Sequence, residues 1–96
     1  GLIVPIVGHA GDGNFHMLVR VDPADRNEIE RASKLNERTV ERALEMGGTC
    51  TGEHGVGHGK IDFVEAEHGE AVAVMRQVKK ALDPYNLMNP GKIFRQ

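Results

Sequence analysis

Four side chains in two glycine-rich segments offer the most chemistry. His9 and His16 lie in G-H-A-G-D-G-N-F-H (8–16), and Glu53 and His54 lie in T-G-E-H-G-V-G-H-G-K (51–60). Neutral imidazole and carboxylate are ordinary ligands for a divalent transition metal. A histidine that does not bind the metal is the usual general base near neutral pH. His9 and His16 are seven residues apart, so one straight strand would leave them distant and on opposite faces. The turn cluster Gly11-Asp12-Gly13-Asn14 folds the segment back, predicting that the two imidazoles face each other and share one ion. Glu53 then completes three donors with coordination positions left open, as a catalytic site requires. Adjacent residues of an extended segment point in opposite directions, which casts His54 as the base rather than a fourth ligand. An ion beside the substrate would acidify a coordinated hydroxyl and present it to His54.

The same residues admit a plainer reading, in which these histidines only hydrogen-bond within polar turns. His58 has a weaker claim, as a neighbour of the ligands, and His68 falls on an exposed helix face. Cys50 has no activating partner nearby in sequence and reads as a small buried residue. Phosphate binding by Gly55–Lys60 fails on pattern: His54 stands where a P-loop needs glycine, and Ile61 where it needs Ser or Thr. The dinucleotide fingerprint fails as well, because Lys60 occupies the place of its last glycine.

These side chains need elements to hold them. Residues 2–7 (L-I-V-P-I-V) form a short apolar run, and residues 15–21 (F-H-M-L-V-R-V) are rich in β-formers, which together predict a hairpin. Asp22-Pro23 supplies a helix start, with Asp as the cap and Pro at the first helical position. Ile29, Ala32, Asn36, Val40, Ala43 and Leu44 keep helical spacing as far as Gly47-Gly48. A short strand is expected at 49–51, then a second helix over about 63–82, ended by Asp83-Pro84. The tail holds Asn89-Pro90-Gly91-Lys92 and reads as irregular. The order β-β-α-(β)-α predicts an α+β fold, a small antiparallel sheet with two helices on one face. That sheet looks incomplete, and the chain opens abruptly at Gly1-Leu2-Ile3-Val4 without an initiator methionine. The expectation is therefore a portion of a larger protein.

Composition narrows the classes. Ninety-six residues suit one small domain, and 40% hydrophobic with 27% charged residues reads as globular. A net charge of −2 without a basic stripe argues against a nucleic-acid partner. No apolar stretch is long enough for a membrane span, and the single cysteine excludes an internal disulfide.

Three segments in order, G-H-A-G-D-G-N-F-H, G-G-T-C-T-G-E-H-G-V-G and L-D-P-Y-N-L-M-N-P-G-K-I-F, strongly resemble the C-terminal part of the FAD-linked oxidases. Within them the chain is most similar to the D-lactate dehydrogenase (cytochrome) and glycolate oxidase D-subunit branch. The resemblance implies a portion, 1–96, of a substrate or cap domain of ferredoxin-like type, with the FAD-binding domain outside the chain. It implies oxidation of a D-2-hydroxy acid to the 2-oxo acid, with hydride passing to the flavin. It also implies a divalent metal, zinc or manganese, held by His9, His16 and Glu53, with His54 as base and Asn89 near the flavin ring. The electron acceptor would be a cytochrome, a quinone or an electron-transfer flavoprotein. The implied location is cytoplasmic, with a peripheral place at the inner membrane through a partner. Leu18 stands where the branch acting on D-2-hydroxyglutarate has asparagine, which favours a short monocarboxylate. The arginine and lysine that such enzymes use on the substrate carboxylate are not in this chain, so the chain by itself is expected to be inactive. Two alternatives use the same donors: a free-standing metal-dependent hydrolase, with Glu53 or His54 activating water, and a non-catalytic metal-binding domain.

Overall fold

The computed structural model describes residues 1–95 and divides the chain into two compact units, Gly1–Gly48 and Thr49–Gln96.

The first unit is a hairpin followed by a long helix. Strands β1 (Ile6–His9) and β2 (Asn14–Met17) pair antiparallel, joined by a single 3-10 turn at Ala10–Asp12. Gly13 closes the turn at φ 70°, in the left-handed region that glycine enters without steric cost. The regular ladder is shorter than the apolar runs suggest, but pairing continues beyond it. Leu18 donates its N–H to the Pro5 carbonyl at 2.9 Å, and Arg20 donates to Ile3 at 3.1 Å. Proline has no N–H to give, so the regular pattern breaks where Pro5 falls. Gly8 sits opposite Phe15. A Cβ on Gly8 would lie 2.3 Å from the Asn14 carbonyl oxygen, so the strands approach too closely there for any side chain.

Helix α1 (Arg26–Glu45) starts three residues later than the Asp22-Pro23 signal predicts. The cap is Asp25, whose carboxylate accepts from the N–H groups of Asn27 at 2.9 Å and Glu28 at 3.2 Å. Asp22 instead builds a local turn, accepting from the Ala24 N–H at 2.9 Å while its own N–H donates to Glu28 at 2.8 Å. Two capping residues three positions apart compete, and the one whose carboxylate meets two orphan amides begins the helix. Ala32, Leu35, Asn36, Thr39, Ala43 and Leu44 form a half-buried stripe around buried Val40. Thr39 Oγ1 meets the Met17 sulfur at 3.7 Å, tying the helix to the end of β2.

The second unit corrects two expectations. The short strand at 49–51 does not form among the described residues; the segment is a bend followed by turns. The single helix over 63–82 is two helices, α2 (Ile61–His68) and α3 (Ala71–Leu82), so the described chain has three α-helices rather than two. Gly69 divides them with φ 54° and ψ −128°, a conformation outside the helical range. Its N–H still closes α2 on the Glu65 carbonyl at 2.8 Å. The helices pack through Val64 and Val72, which with Cys50 are the buried apolar side chains of this unit. Asp83, 8% exposed, organises the tail, accepting from the N–H groups of Leu87 and Met88 at 2.9 Å each and from the Lys79 ammonium. The architecture is α+β, a two-stranded antiparallel sheet and three α-helices.

Candidate functional site

The hairpin sets the placement of the first two candidate ligands. His9 opposes Asn14, and His16 opposes Val7. The expectation that the imidazoles face each other directly is therefore corrected: they occupy diagonal positions. They do share a face, because residues opposite one another in an antiparallel pair lie on the same side and so do residues two apart. Diagonal neighbours on one face stand roughly 7–8 Å apart at the backbone, within reach of long side chains. His9 is exposed and His16 half-buried. That face also carries Val7 and Asn14, and the opposite face carries Ile6, Phe15 and Met17.

The second segment is a tight turn rather than an extended strand. Gly55 donates its N–H to the Gly52 carbonyl at 3.4 Å, with Glu53 and His54 at the two central positions and Gly55 at φ 75°. The consequence is chemical. In an extended chain Glu53 and His54 would diverge, whereas here His54 Nε2 lies 3.7 Å from Glu53 Oε1. Carboxylate and imidazole are presented together, with His54 80% exposed at its side chain and Glu53 45%.

Asn89 lies in the tail at φ 47°, and its carbonyl accepts the Lys92 N–H at 3.3 Å. It lines an open groove of about 300 Å³ with Arg76, Lys80, Pro84, Lys92 and Phe94. Arg76 stacks its guanidinium 5.1 Å from the Phe94 ring centre, giving one wall an aromatic surface and a positive charge. Of the weaker candidates, His58 sits in an exposed turn, while His68 Nε2 lies 3.3 Å from Glu67.

Glu67 is the residue that sequence reasoning missed. Its side chain is 12% exposed and accepts from the Cys50 thiol at 3.2 Å. Burial raises the Glu67 pKa, but hydrogen bonds from Thr49 and Cys50 and the adjacent His68 outweigh it and hold the carboxyl below its ordinary value. Cys50 is affected in the opposite sense, pushed up to about 11 by burial, by its hydrogen bond to Glu67 and by that negative charge. The thiol is therefore a protonated donor, not a nucleophile. Seventeen residues separate the two, so no local pattern signals the contact.

A family model described as "FAD linked oxidases, C-terminal domain" matches residues 1–93. The chain belongs to that family. Among relatives of this FAD-linked oxidase chain, the probable mitochondrial D-lactate dehydrogenase of Danio rerio is 54% identical over 91 residues, covering 94% of the chain and 18% of that protein. The mitochondrial D-lactate dehydrogenase [cytochrome] of Arabidopsis thaliana is 50% identical over 97% of the chain and 17% of its own length. Glycolate oxidase subunit GlcD of Escherichia coli (strain K12) is 41% identical over 95% of the chain and 18% of its own length. The chain thus spans less than a fifth of these relatives. Among the described residues, no helix is long and apolar enough to cross a membrane.

Two imidazoles on one hairpin face and a carboxylate at a turn tip are donors of the right type for a divalent ion. The groove beside Asn89 is at the small end of ligand-pocket volumes.

Proposed function

We propose that this chain is the C-terminal, metal-holding and base-bearing portion of a flavin-dependent dehydrogenase that oxidises a short D-2-hydroxy acid, D-lactate or glycolate, to the 2-oxo acid. The observation that carries the reading is the register of the hairpin, which places His9 and His16 on one face. Family membership supports it, as do relatives named for D-lactate and glycolate oxidation.

In this proposal His9, His16 and Glu53 hold the ion, His54 is the base, and Asn89 contacts the flavin. When bound, a divalent ion, zinc or manganese, would acidify the substrate hydroxyl, and the flavin would accept the hydride from C2. The chain's own part is to hold the donors and move one proton. His54 takes the hydroxyl proton at a ring nitrogen, and Glu53, 3.7 Å from Nε2, is left to the ion. The exposure of His54 leaves room for a substrate to approach the ring. Leu18, in β2's continuation and 52% exposed, presents an apolar side chain that suits a monocarboxylate over a second carboxylate.

The flavin and the substrate carboxylate would be held mainly by residues outside these 96, in keeping with the small fraction of each relative that the chain covers. The electron acceptor would be a cytochrome, a quinone or an electron-transfer flavoprotein, and the Arabidopsis relative's name favours the first. The test compares the 96-residue chain with a protein carrying it beside a flavin domain, using D-lactate, glycolate and D-2-hydroxyglutarate with an artificial acceptor. The proposal expects turnover of the two monocarboxylates by the longer protein and none by the chain alone. Hydrolase activity of the chain with added zinc, or a preference for the dicarboxylate, would overturn it.

A further inference from the structure

The turn that presents Glu53 and His54 is pinned on both sides within the second unit. On its far side, Ile93 donates its N–H to the Gly57 carbonyl at 2.7 Å, and Lys60 donates to Val56 at 3.2 Å. On its near side the pin is a side chain. The Glu67 carboxylate, nearly buried on α2, takes the Cys50 thiol hydrogen bond at 3.2 Å and is also met by the Thr49 hydroxyl and the Cys50 backbone N–H. His68 approaches the same oxygen, Oε2, at 3.3 Å. Cys50 is 6% exposed, and only Thr51 and Gly52 separate it from Glu53. One carboxylate therefore holds the segment just before the turn, and Gly52 and Gly55 on either side of the pair carry no side chain of their own.

We propose that Glu67 is a positioning residue: through Thr49 and Cys50 it anchors the Gly52–Gly55 turn so that the Glu53 carboxylate stays ready to hold a cation. This rests on the reading of Glu53 as a metal ligand. Groups that orient a ligand from behind commonly change metal affinity about 10- to 100-fold when removed. A charged acceptor suits the task because hydrogen bonds to an ionised partner are roughly twice as strong as neutral ones. The thiol's raised pKa keeps its proton in place as the donor.

The experiment measures two quantities on the 96-residue chain: amide hydrogen exchange at residues 51–57, and the Mn²⁺ dissociation constant by calorimetry. Glu67→Ala is compared with Glu67→Gln, which keeps one acceptor oxygen, and with Glu65→Ala, exposed on the same helix. Glu67→Ala should speed exchange at 51–57 about tenfold and weaken Mn²⁺ about 10- to 100-fold, with α3 protection unchanged. Glu67→Gln should recover part of both, and Glu65→Ala should alter neither. Unchanged loop exchange and affinity in Glu67→Ala with α3 intact would overturn the proposal. If Glu67→Ala does not fold, wild-type behaviour of Glu67→Gln in both measurements overturns it instead. If the wild-type chain binds no Mn²⁺, the metal reading of Glu53 fails separately, and the exchange comparison alone decides whether Glu67 anchors the turn.

Discussion

At the residue scale the account rests on a division of labour. His9, His16 and Glu53 are assigned to the cation and His54 to the proton, although His54 and Glu53 stand only 3.7 Å apart. Replacing a ligand and replacing the base should therefore have different signatures. His54→Ala in a protein that carries this chain beside its flavin domain should keep its metal content and lose turnover by a factor of about 100 or more, the usual weight of a general base. Metal analysis with steady-state kinetics checks this, and retained turnover would remove His54 from the mechanism. Type and spacing single out these four residues as candidates. What spacing could not show is that Glu53 and His54 converge, because that depends on the turn closed by Gly55 on Gly52. Glu67 was illegible for a related reason: its partner Cys50 lies seventeen residues away, and hydrogen bonds between distant residues leave no periodic trace.

At the scale of elements, the hairpin and the helix interruptions decide what is presented. At Gly8 the backbones of β1 and β2 come close. A methyl group there would sit 2.3 Å from the Asn14 carbonyl oxygen and 2.6 Å from Phe15 Cα. Both are backbone atoms, so the strands must move apart. Gly8→Ala should cost about 1–3 kcal/mol, as overpacking generally does, and should also disturb the register that pairs His9 with Asn14. Thermal unfolding and histidine ring chemical shifts measure the two effects; an unchanged melting temperature would show that the approach is looser than described. Asp25→Ala should cost about 1 kcal/mol through loss of the α1 cap, whereas Asp22→Ala should cost less. Chemical denaturation of the two variants tests which aspartate starts the helix. The hairpin and the first helix were legible as apolar alternation and helical periodicity. Their boundaries were not, because Asp22 and Asp25 both qualify as caps and only hydrogen-bond geometry separates them. Gly69 likewise sits inside a good periodic pattern and breaks it by backbone conformation, which periodicity does not record.

For the whole molecule, the charge of two inner carboxylates ties stability to pH. Glu67 and Asp83 are both held below their ordinary values of 4.5 and 3.8, Glu67 against the opposing effect of its burial and Asp83 first by its hydrogen bond from Lys79. A depressed carboxyl stabilises the fold fully above its ordinary pKa, and that contribution is lost as the pH falls through the lower native value. The Thr49–Gln96 unit should therefore lose stability from about pH 4.5 downward, with Glu67→Gln and Asp83→Asn each flattening that acid limb. Denaturation midpoints at pH 3, 4, 5 and 7 test this; an acid limb unaffected by either substitution would contradict it. The chain belongs to the FAD-linked oxidase family, with a match spanning residues 1–93. The central claim remains one the chain can answer by itself. Calorimetric titration of Mn²⁺ and Zn²⁺ into the wild type and into His9→Ala, His16→Ala, Glu53→Ala and His54→Ala measures it directly. The account predicts one site per chain, weakened at least about tenfold by each of the first three substitutions and little changed by the fourth. Equal affinity in the wild type and all three ligand variants, or a loss confined to His54→Ala, would contradict it.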